Sequence, residues 1–263
     1  MMMNPKLEAI LRSRGKLAIA FSGGTDSTLL AEAARRVLGA ENVLLLHAES
    51  VLLPAFDREF TANWIAKGNM QVIAVRCDPL ADLRIRANDP QRCYHCKKAI
   101  FGKLLETARA HGFETLADGA NLDDLGDYRP GMLAAAEMNV AHPLLEAGMT
   151  KAAIRELARE FKLENADRPA SACLASRIPT GTPLDETALG RIDRAEYALH
   201  QLGFRQLRVR ALGELAKLEF PPQEFPAVLA NREAVLAALS EAGFSEITLD
   251  LRGYRMGAMN QPN

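Results

Sequence analysis

A glycine-containing loop between an apolar and an amphipathic segment constrains the fold of this chain more than any other feature. Residues 17–21 (LAIAF) predict a buried strand, and residues 28–37 repeat apolar side chains at helical spacing. The polar loop S-G-G-T-D-S, residues 22–27, lies between them. In a strand–turn–helix unit, backbone N–H groups and the positive end of the helix dipole point at one spot, which favours a bound phosphate.

The residue types in the loop narrow the kind of phosphate site. Gly23 and Gly24 allow the backbone to approach an anion closely and to take φ angles that other residues resist, and Ser22, Ser27 and Thr28 add hydroxyl donors. The loop lacks the lysine of the G-x-x-x-x-G-K-S/T motif. We therefore predict that it holds the β- and γ-phosphates of ATP as a leaving pyrophosphate, with the α-phosphorus open to attack. The alternative is an ordinary turn whose polar residues cap the next helix.

Strand and helix patterns alternate along the first two thirds of the chain. Further strands are predicted at residues 42–47, 71–76 and 115–118, helices at 54–67, 100–110 and 151–161, and a loop at 88–96. This alternation predicts βαβ units and a parallel sheet, with ligand-binding loops at the carboxyl ends of its strands. One crevice is expected to collect the 22–27 loop, Cys77-Asp78 and Asp118-Gly119.

Residues 168–183 interrupt the alternation. They include Pro169, Pro179 and Pro183 and mark a domain junction. After them, a helix, two strands, a second helix and a last strand predict a small α+β domain. We therefore expect an α/β fold with a parallel-sheet domain at residues 1–170 and a C-terminal domain for substrate binding or oligomerisation at residues 184–263.

Charge and cysteine content restrict the partners and the compartment. A formal net charge of −1 gives no support for a strongly basic nucleic-acid surface, and no segment reaches the ~18 consecutive apolar residues that a membrane span needs. The N-terminal residues lack the apolar core of a signal peptide. Four cysteines without such a signal indicate a reducing compartment, the cytoplasm, and metal or catalytic roles rather than disulfides.

Three of the cysteines form a candidate reactive group. Cys93 and Cys96 have the C-x-x-C spacing that zinc sites, iron–sulfur clusters and redox dithiols share. Cys173 lies alone in an irregular segment, where a buried structural role is a poor explanation, whereas Cys77 suits a small core residue. Three thiolates on a cubane cluster leave one iron open for a sulfide. Zinc with His95 as the fourth ligand is the rival interpretation.

Polar residues outside the loop supply further candidates. Residues 119–124 (GANLDD) suit Mg²⁺, a ribose hydroxyl or, equally, a solvated acidic turn. Lys151 and Arg155 lie one helical turn apart and suit a phosphate, although solvated surface is the commoner place for such residues. Arg208 and Arg210 alternate along a strand, so both lie on one face and suit a phosphate or carboxylate. A ladder of surface charges competes with that interpretation.

These motifs, in this order and over nearly the whole chain, resemble the LarE sulfur transferases. The segment A-C-L-A-S-R-I-P-T-G at residues 172–181 is the most specific part, whereas the S-G-G-T-D-S loop alone resembles the wider superfamily of PP-loop ATP pyrophosphatases. The matching segments are residues 22–27, 92–97, 119–124, 172–181, 208–210, 216–219 and 251–260.

The resemblance implies an enzyme of nickel-pincer nucleotide biosynthesis. Family members use ATP and Mg²⁺ to adenylate a carboxylate of pyridinium-3,5-biscarboxylic acid mononucleotide, and sulfur then displaces AMP to give a thiocarboxylate. One type sacrifices the cysteine that matches Cys173. The other type holds a 4Fe–4S cluster on three cysteines, which Cys93, Cys96 and Cys173 match, and we expect this type. A sacrificial transferase and a tRNA thiolase of the same superfamily are the alternatives.

The resemblance also implies binding residues by position. Together with the residue patterns, it places ATP at Ser22, Gly23, Gly24, Asp26, Ser27, Asn121 and Lys151. It places the mononucleotide substrate at Arg177, Glu196, Arg208, Arg210 and Glu219. Many members carry a histidine after R-V-R, whereas this chain has Ala211, so no role of that histidine carries over. Members tend to form trimers or hexamers, so we expect a homo-oligomer with neither a membrane nor a nucleic acid as partner.

Overall fold

The computed structural model describes residues 3–68, 70–126, 130–169 and 171–255. Its backbone forms two compact units. Unit 1 comprises Met1–Ser50, Phe60–Pro79 and Gln91–Ser171, and unit 2 comprises Val51–Glu59, Leu80–Pro90 and Ala172–Asn263. Residues 127 and 128 of the polar segment after the fourth strand, and residues 256–260 of the last matching motif, lie outside the described residues.

Helices account for much of both units. In chain order they are α1 (Pro5–Arg14), α2 (Thr25–Leu38), α3 (Ala55–Lys67), α4 (Leu83–Arg86), α5 (Arg92–Ala110), α6 (Pro130–Glu137), α7 (Pro143–Glu146), α8 (Lys151–Glu160), α9 (Glu186–Gln201), α10 (Phe225–Ala230) and α11 (Arg232–Glu241). Short 3₁₀ turns include Leu122–Gly126 and Leu174–Arg177. Within the described residues, no helix has the length and apolar character needed to cross a membrane.

Unit 1 is built on a parallel sheet. Its strands are β1 (Leu17–Ala20), β2 (Val43–Glu49), β3 (Gln71–Arg76) and β4 (Leu116–Ala117), in the order β3-β2-β1-β4. All pairings are parallel, and Ala18 of β1 is in register with Leu44 on one side and Leu116 on the other. The predicted parallel α/β sheet is confirmed.

Both faces of this sheet are covered, which explains why its inner strands are apolar without alternation. Ile19 and Leu45 pack in one core with residues of α1, α2 and α8. Ala18 and Leu44 belong to a second core, to which α5 contributes Phe101 among others. Successive strand residues therefore meet different helices, and the loop after β1 opens at the carboxyl edge of the sheet.

Unit 2 contains a smaller mixed sheet. Its strands are β5 (Arg208–Leu212), β6 (Leu215–Glu219) and β7 (Glu246–Leu249), with β5 antiparallel and β7 parallel to β6. The apolar face of α9 contributes Leu189, Ile192 and Leu199 to the buried residues of this unit. The predicted C-terminal α+β pattern is confirmed at the level of its elements, and the short helix α10 was not predicted.

The predicted loop at residues 88–96 is wrong in its second half. Helix α5 begins at Arg92, so Cys93 and Cys96 lie in its first turns rather than before it. Residues 92–96 contain neither glycine nor proline, and the Tyr94 hydroxyl donates to Glu137 of α6 at 2.7 Å. This tertiary contact favours the extra helical turn, which the apolar pattern alone does not reveal.

Candidate functional site

The S-G-G-T-D-S loop is closed by its own hydroxyl groups. Ser22 Oγ and Ser27 Oγ lie 3.1 Å apart, and Ser27 Oγ donates to the carbonyl of Gly24 at 3.1 Å. The backbone N–H groups of Ser22 and Gly24 donate to Ser27 Oγ and Ser22 Oγ, each at 3.3 Å. Gly24 is the N-cap of α2 and provides no side-chain cap. The first turn of α2 therefore points toward the open edge of the sheet without a capping side chain from its N-cap residue.

Two glycines are required by close backbone packing at this loop. Gly23 has a φ of 74°, and a Cβ at this position would overlap the Oγ1 of Thr61 on α3. A Cβ on Gly119, which follows β4, would lie 2.9 Å from the backbone nitrogen of Ser27. The structure thus brings the loop and the carboxyl end of β4 together, as the parallel-sheet argument predicts.

The side chain of Asn165 holds the S-G-G-T-D-S loop by hydrogen bonds, and this residue was not identified from the sequence. Its side chain is buried, and its Nδ2 donates to the carbonyl of Gly23 at 3.0 Å and to Thr28 Oγ1 at 2.9 Å. Thr25 Oγ1 donates to the Asn165 carbonyl at 2.7 Å. Asn165 and Gly23 lie 142 residues apart in the sequence, so no local pattern reveals their contact.

Asp26 is the central charged group of the loop. Its Oδ2 pairs with the ammonium group of Lys151 and accepts from Asn121 Nδ2 at 3.3 Å, so three predicted ATP-binding residues meet here. Asp26 Oδ1 is buried and has no hydrogen-bond partner among the described residues. A buried carboxylate oxygen without a donor is a natural ligand for a divalent cation.

The acidic residues of segment 119–124 mainly organise its backbone. Asp123 Oδ2 accepts from the backbone N–H of Lys151 at 2.7 Å, and Asp124 Oδ2 accepts from that of Asn121 at 3.0 Å. Asn121 is buried. These contacts fix the turn that carries Asn121 and the start of α8 that carries Lys151.

A buried aspartate–histidine pair lies at the carboxyl end of β4. His142 Nδ1 donates to Asp118 Oδ1 at 2.7 Å, and Lys97 Nζ lies 4.0 Å from Asp118 Oδ2. Burial opposes ionisation of Asp118, but the hydrogen bond from His142 and the charge of Lys97 lower its pKa below the ordinary value. Asp118 is therefore a carboxylate that also accepts from the backbone N–H of Ala120 at 3.0 Å.

The four cysteines fall into different environments, and none forms a disulfide. Cys93 is exposed and Cys96 half-buried, one helical turn apart at the start of α5, and Arg92 Nη2 lies 3.5 Å from Cys93 Sγ. Cys173 is exposed and belongs to unit 2. Cys77 is buried in the core, and burial raises its pKa while the charge of Lys103 opposes that rise.

No metal-binding group of three or more His, Cys, Asp or Glu side chains occurs among the described residues. Cys93 and Cys96 belong to unit 1 and Cys173 to unit 2. That all three hold one cluster therefore stays a prediction.

The five predicted substrate-binding residues lie in unit 2, and four of them form two buried ion pairs. Arg177 Nη2 donates to Glu196 Oε2 at 2.7 Å, and Arg210 Nη2 donates to Glu219 Oε2 at 2.8 Å. Arg208 is half-buried, with its guanidinium group 5.2 Å from the centre of the Tyr254 ring. Their contact with a substrate stays a prediction.

Burial and neighbouring charges shift the pKa values of Arg208 and Glu196. Burial and the charge of Arg177 lower the pKa of Arg208, against the opposing charge of Glu196. Burial opposes ionisation of Glu196, but the charge and the hydrogen bond of Arg177 lower its pKa. Glu196 is therefore a carboxylate matched by the guanidinium group of Arg177.

Known proteins match this chain over almost its whole length, although no protein-family model matches the chain. It is 36% identical over 256 residues to the pyridinium-3,5-bisthiocarboxylic acid mononucleotide synthase of Lactiplantibacillus plantarum, covering 97% of this chain and 92% of that protein. It is 36% identical over 267 residues to an uncharacterized protein of Synechocystis sp., covering 99% and 98%. An uncharacterized protein of Methanocaldococcus jannaschii is 27% identical over 248 residues, covering 91% of each chain. At this identity and coverage, the chain belongs to the LarE family, that of the pyridinium-3,5-bisthiocarboxylic acid mononucleotide synthases.

Proposed function

We propose that this protein is an ATP-dependent sulfur transferase that converts carboxylates of pyridinium-3,5-biscarboxylic acid mononucleotide to thiocarboxylates. The observation that carries the proposal is the uncapped start of α2 beside the Asp26–Lys151 pair. The synthase from L. plantarum, whose name states the bisthiocarboxylic product, supports the choice of substrate. The tRNA thiolase alternative has no comparable support among the relatives.

The loop residues suit the activation step. Backbone amides at the start of a helix and the hydroxyls of Ser22 and Ser27 stabilise the negative charge of a departing pyrophosphate. Lys151 adds a positive charge next to Asp26. The substrate carboxylate oxygen attacks the α-phosphorus, the bond to the β-phosphate oxygen breaks, and the acyl group becomes an adenylate. AMP is a far better leaving group than the original carboxylate oxygen.

Mg²⁺ fits this site because Asp26 Oδ1 is buried without a donor. Asp26 would hold the ion, which supplies charge neutralisation for the ATP phosphates. The aspartate also keeps Lys151 at the loop, because the two side chains form an ion pair. Replacing Asp26 by asparagine therefore removes both the cation ligand and the partner of Lys151.

The thiol residues suit the sulfur-transfer step. Cysteine thiolates hold a 4Fe–4S cluster, and Cys93 and Cys96 offer two in the first turns of α5, with Cys173 as the third in the expected ligand set. Such a cluster would supply a transferable sulfide when bound. The start of α5 and Arg92 provide positive partners for a thiolate at Cys93. The buried Cys77 does not fit the set.

The test combines pyrophosphate release with analysis of the product and of Cys173. Anaerobically prepared protein is given ATP, Mg²⁺ and the biscarboxylic mononucleotide, and an Asp26→Asn variant serves as the control. We expect pyrophosphate and thiocarboxylate over several turnovers, with Cys173 unchanged by mass spectrometry and almost no pyrophosphate from the variant. Loss of the Cys173 sulfur in step with product would establish the sacrificial alternative, and absence of pyrophosphate from the native protein would refute the function.

A further inference from the structure

The segment that carries Cys173 is held in an unusual way. Residues Leu174–Arg177 form a 3₁₀ turn in which Leu174 and Ala175 are buried, while Cys173 itself is exposed. The backbone N–H of Leu174 donates to the carbonyl of Leu52 at 2.8 Å. A single such turn has little internal stability, so its position depends on contacts from outside.

Arg177 provides one set of these contacts. Its Nη1 donates to the carbonyl of Ala172 at 2.6 Å and to that of Cys173 at 2.9 Å, on both sides of the Cys173 residue. Its Nε and Nη2 donate to the two carboxylate oxygens of Glu196 on α9, at 3.0 and 2.7 Å. Glu196 is fixed in turn, because its Oε1 accepts from the backbone N–H of Val209 on β5 at 2.9 Å.

Arg210 provides a second set from a different strand. Its Nη1 donates to the carbonyl of Ser176 at 2.5 Å. Its Nε and Nη2 both donate to Glu219 Oε2 on β6, at 3.0 and 2.8 Å. A guanidinium group joined to a carboxylate at two points has a defined orientation, so its remaining nitrogen presents its donors in a fixed direction.

The two pairs are buried, and this separates them from substrate ligands. Side-chain exposure is 1% for Arg177 and 4% for Glu196, and 6% and 3% for Arg210 and Glu219. All three nitrogens of each guanidinium group already donate to protein oxygens. A substrate phosphate could reach these guanidinium groups only by displacing residues that bury them, and displacing a glutamate would leave that carboxylate charged and unpaired.

Resting on the function proposed above, we infer that Arg177 and Arg210 are positioning residues: together with Glu196 and Glu219 they hold the carbonyls of residues 172, 173 and 176 and thereby fix the Cys173 thiol for sulfur transfer.

The test uses Arg177→Lys and Arg210→Lys, which keep the charge but cannot hold a carboxylate at two points and a carbonyl at once. The matched control is Arg191→Met, which removes another ion pair of α9 in the same unit, with Glu214. Hydrogen–deuterium exchange of the peptide covering residues 172–178 is measured on the ligand-free proteins. We expect about tenfold faster exchange in both lysine variants and no change in the control, since local opening of the turn no longer breaks the guanidinium contacts.

Kinetics then separates positioning from substrate binding. In both lysine variants, we expect thiocarboxylate formation to fall about tenfold in kcat, with KM for the mononucleotide and the rate of pyrophosphate release within about twofold of the native values. Glu196→Gln, a milder change, is expected to shift exchange and kcat in the same direction. Unchanged exchange at 172–178, or a raised KM at constant kcat, would overturn the inference. If the native protein forms no thiocarboxylate but the lysine variants still exchange faster at residues 172–178, the proposed function is overturned. The contacts of Arg177 and Arg210 with the backbone are then still supported.

Discussion

Replacing Gly23 by alanine tests whether the loop is shaped by its contact with α3. Two costs add at this position. Alanine at a φ of 74° costs about 1–2 kcal/mol because L-residues resist the left-handed region. Its Cβ would also overlap Thr61 Oγ1 and lie 3.1 Å from Thr61 Cβ, and overpacking of this kind costs about 1–3 kcal/mol more. The expected loss for Gly23→Ala is therefore about 2–5 kcal/mol of unfolding free energy.

Two further variants separate these costs. Gly112 has a φ of 77°, and a Cβ there would meet nothing within 4 Å, so Gly112→Ala should cost only the conformational part, about 1–2 kcal/mol. Thr61→Ala removes the overlapping oxygen, which is buried and has no hydrogen-bond partner among the described residues. Thr61→Ala keeps the Cβ that lies 3.1 Å away, so in the Thr61→Ala background Gly23→Ala should recover most, but not all, of the overpacking cost.

Urea unfolding of the four variants measures these differences, with the m-value as a check on two-state behaviour. Calorimetric titration with ATP should show weaker binding for Gly23→Ala than for Gly112→Ala, because only the former displaces the loop amides. Equal stabilities for the two glycine variants, or no recovery on adding Thr61→Ala, would show that the contact with α3 does not shape the loop.

Two further predictions concern residues away from the charged centre. Asn165→Ala should lower the free energy of unfolding by about 1–3 kcal/mol and weaken ATP binding, because the Gly23 carbonyl and the Thr28 hydroxyl lose their buried donor. Urea unfolding and calorimetric titration with ATP measure the two effects. Unaltered ATP affinity would contradict a role of Asn165 in the loop. The pKa of His200 is lowered, chiefly by burial, against the hydrogen bond to the Phe204 carbonyl. The unfolded chain therefore takes up a proton first as pH falls below 6.5, so stability should decline from there until the folded imidazole is also protonated. A His200→Gln variant should flatten this decline in melting temperature between about pH 7 and 5, and an unchanged slope would assign the effect to other groups.

Local sequence patterns were sufficient to predict the strand and the helix on either side of the S-G-G-T-D-S loop. The strand, glycine turn and helix at residues 17–38 are encoded by adjacent residues, and burial of both sheet faces follows from strands without alternation. The start of α5 was missed because it depends on the contact of Tyr94 with Glu137, 43 residues away. Asn165 was missed for the same reason, since its contact with Gly23 spans 142 residues. Interactions between distant side chains leave no periodic signal in the sequence.

The arginines of β5 show a different limit of sequence interpretation. Strand alternation correctly puts Arg208 and Arg210 on one face but says nothing about depth. Arg210 is part of a series of alternating charges, because Lys217 Nζ lies 3.2 Å from Glu219 and 3.1 Å from Asp250. Arg252 Nε also lies 3.2 Å from Asp250, so both carboxylates of this series are already matched by protein cations.

The surroundings of Arg208 act against its positive charge. Burial, and then the nearby charge of Arg177, lower its pKa, which means that its surroundings disfavour the positive charge that it carries. A dianionic phosphate beside Arg208 would oppose both effects. The guanidinium group of Arg210 is instead held by Glu219 through two of its nitrogens. Among the five residues predicted to bind the mononucleotide, we therefore expect Arg208 to be the partner of its phosphate, with Arg177 and Arg210 holding the backbone around Cys173.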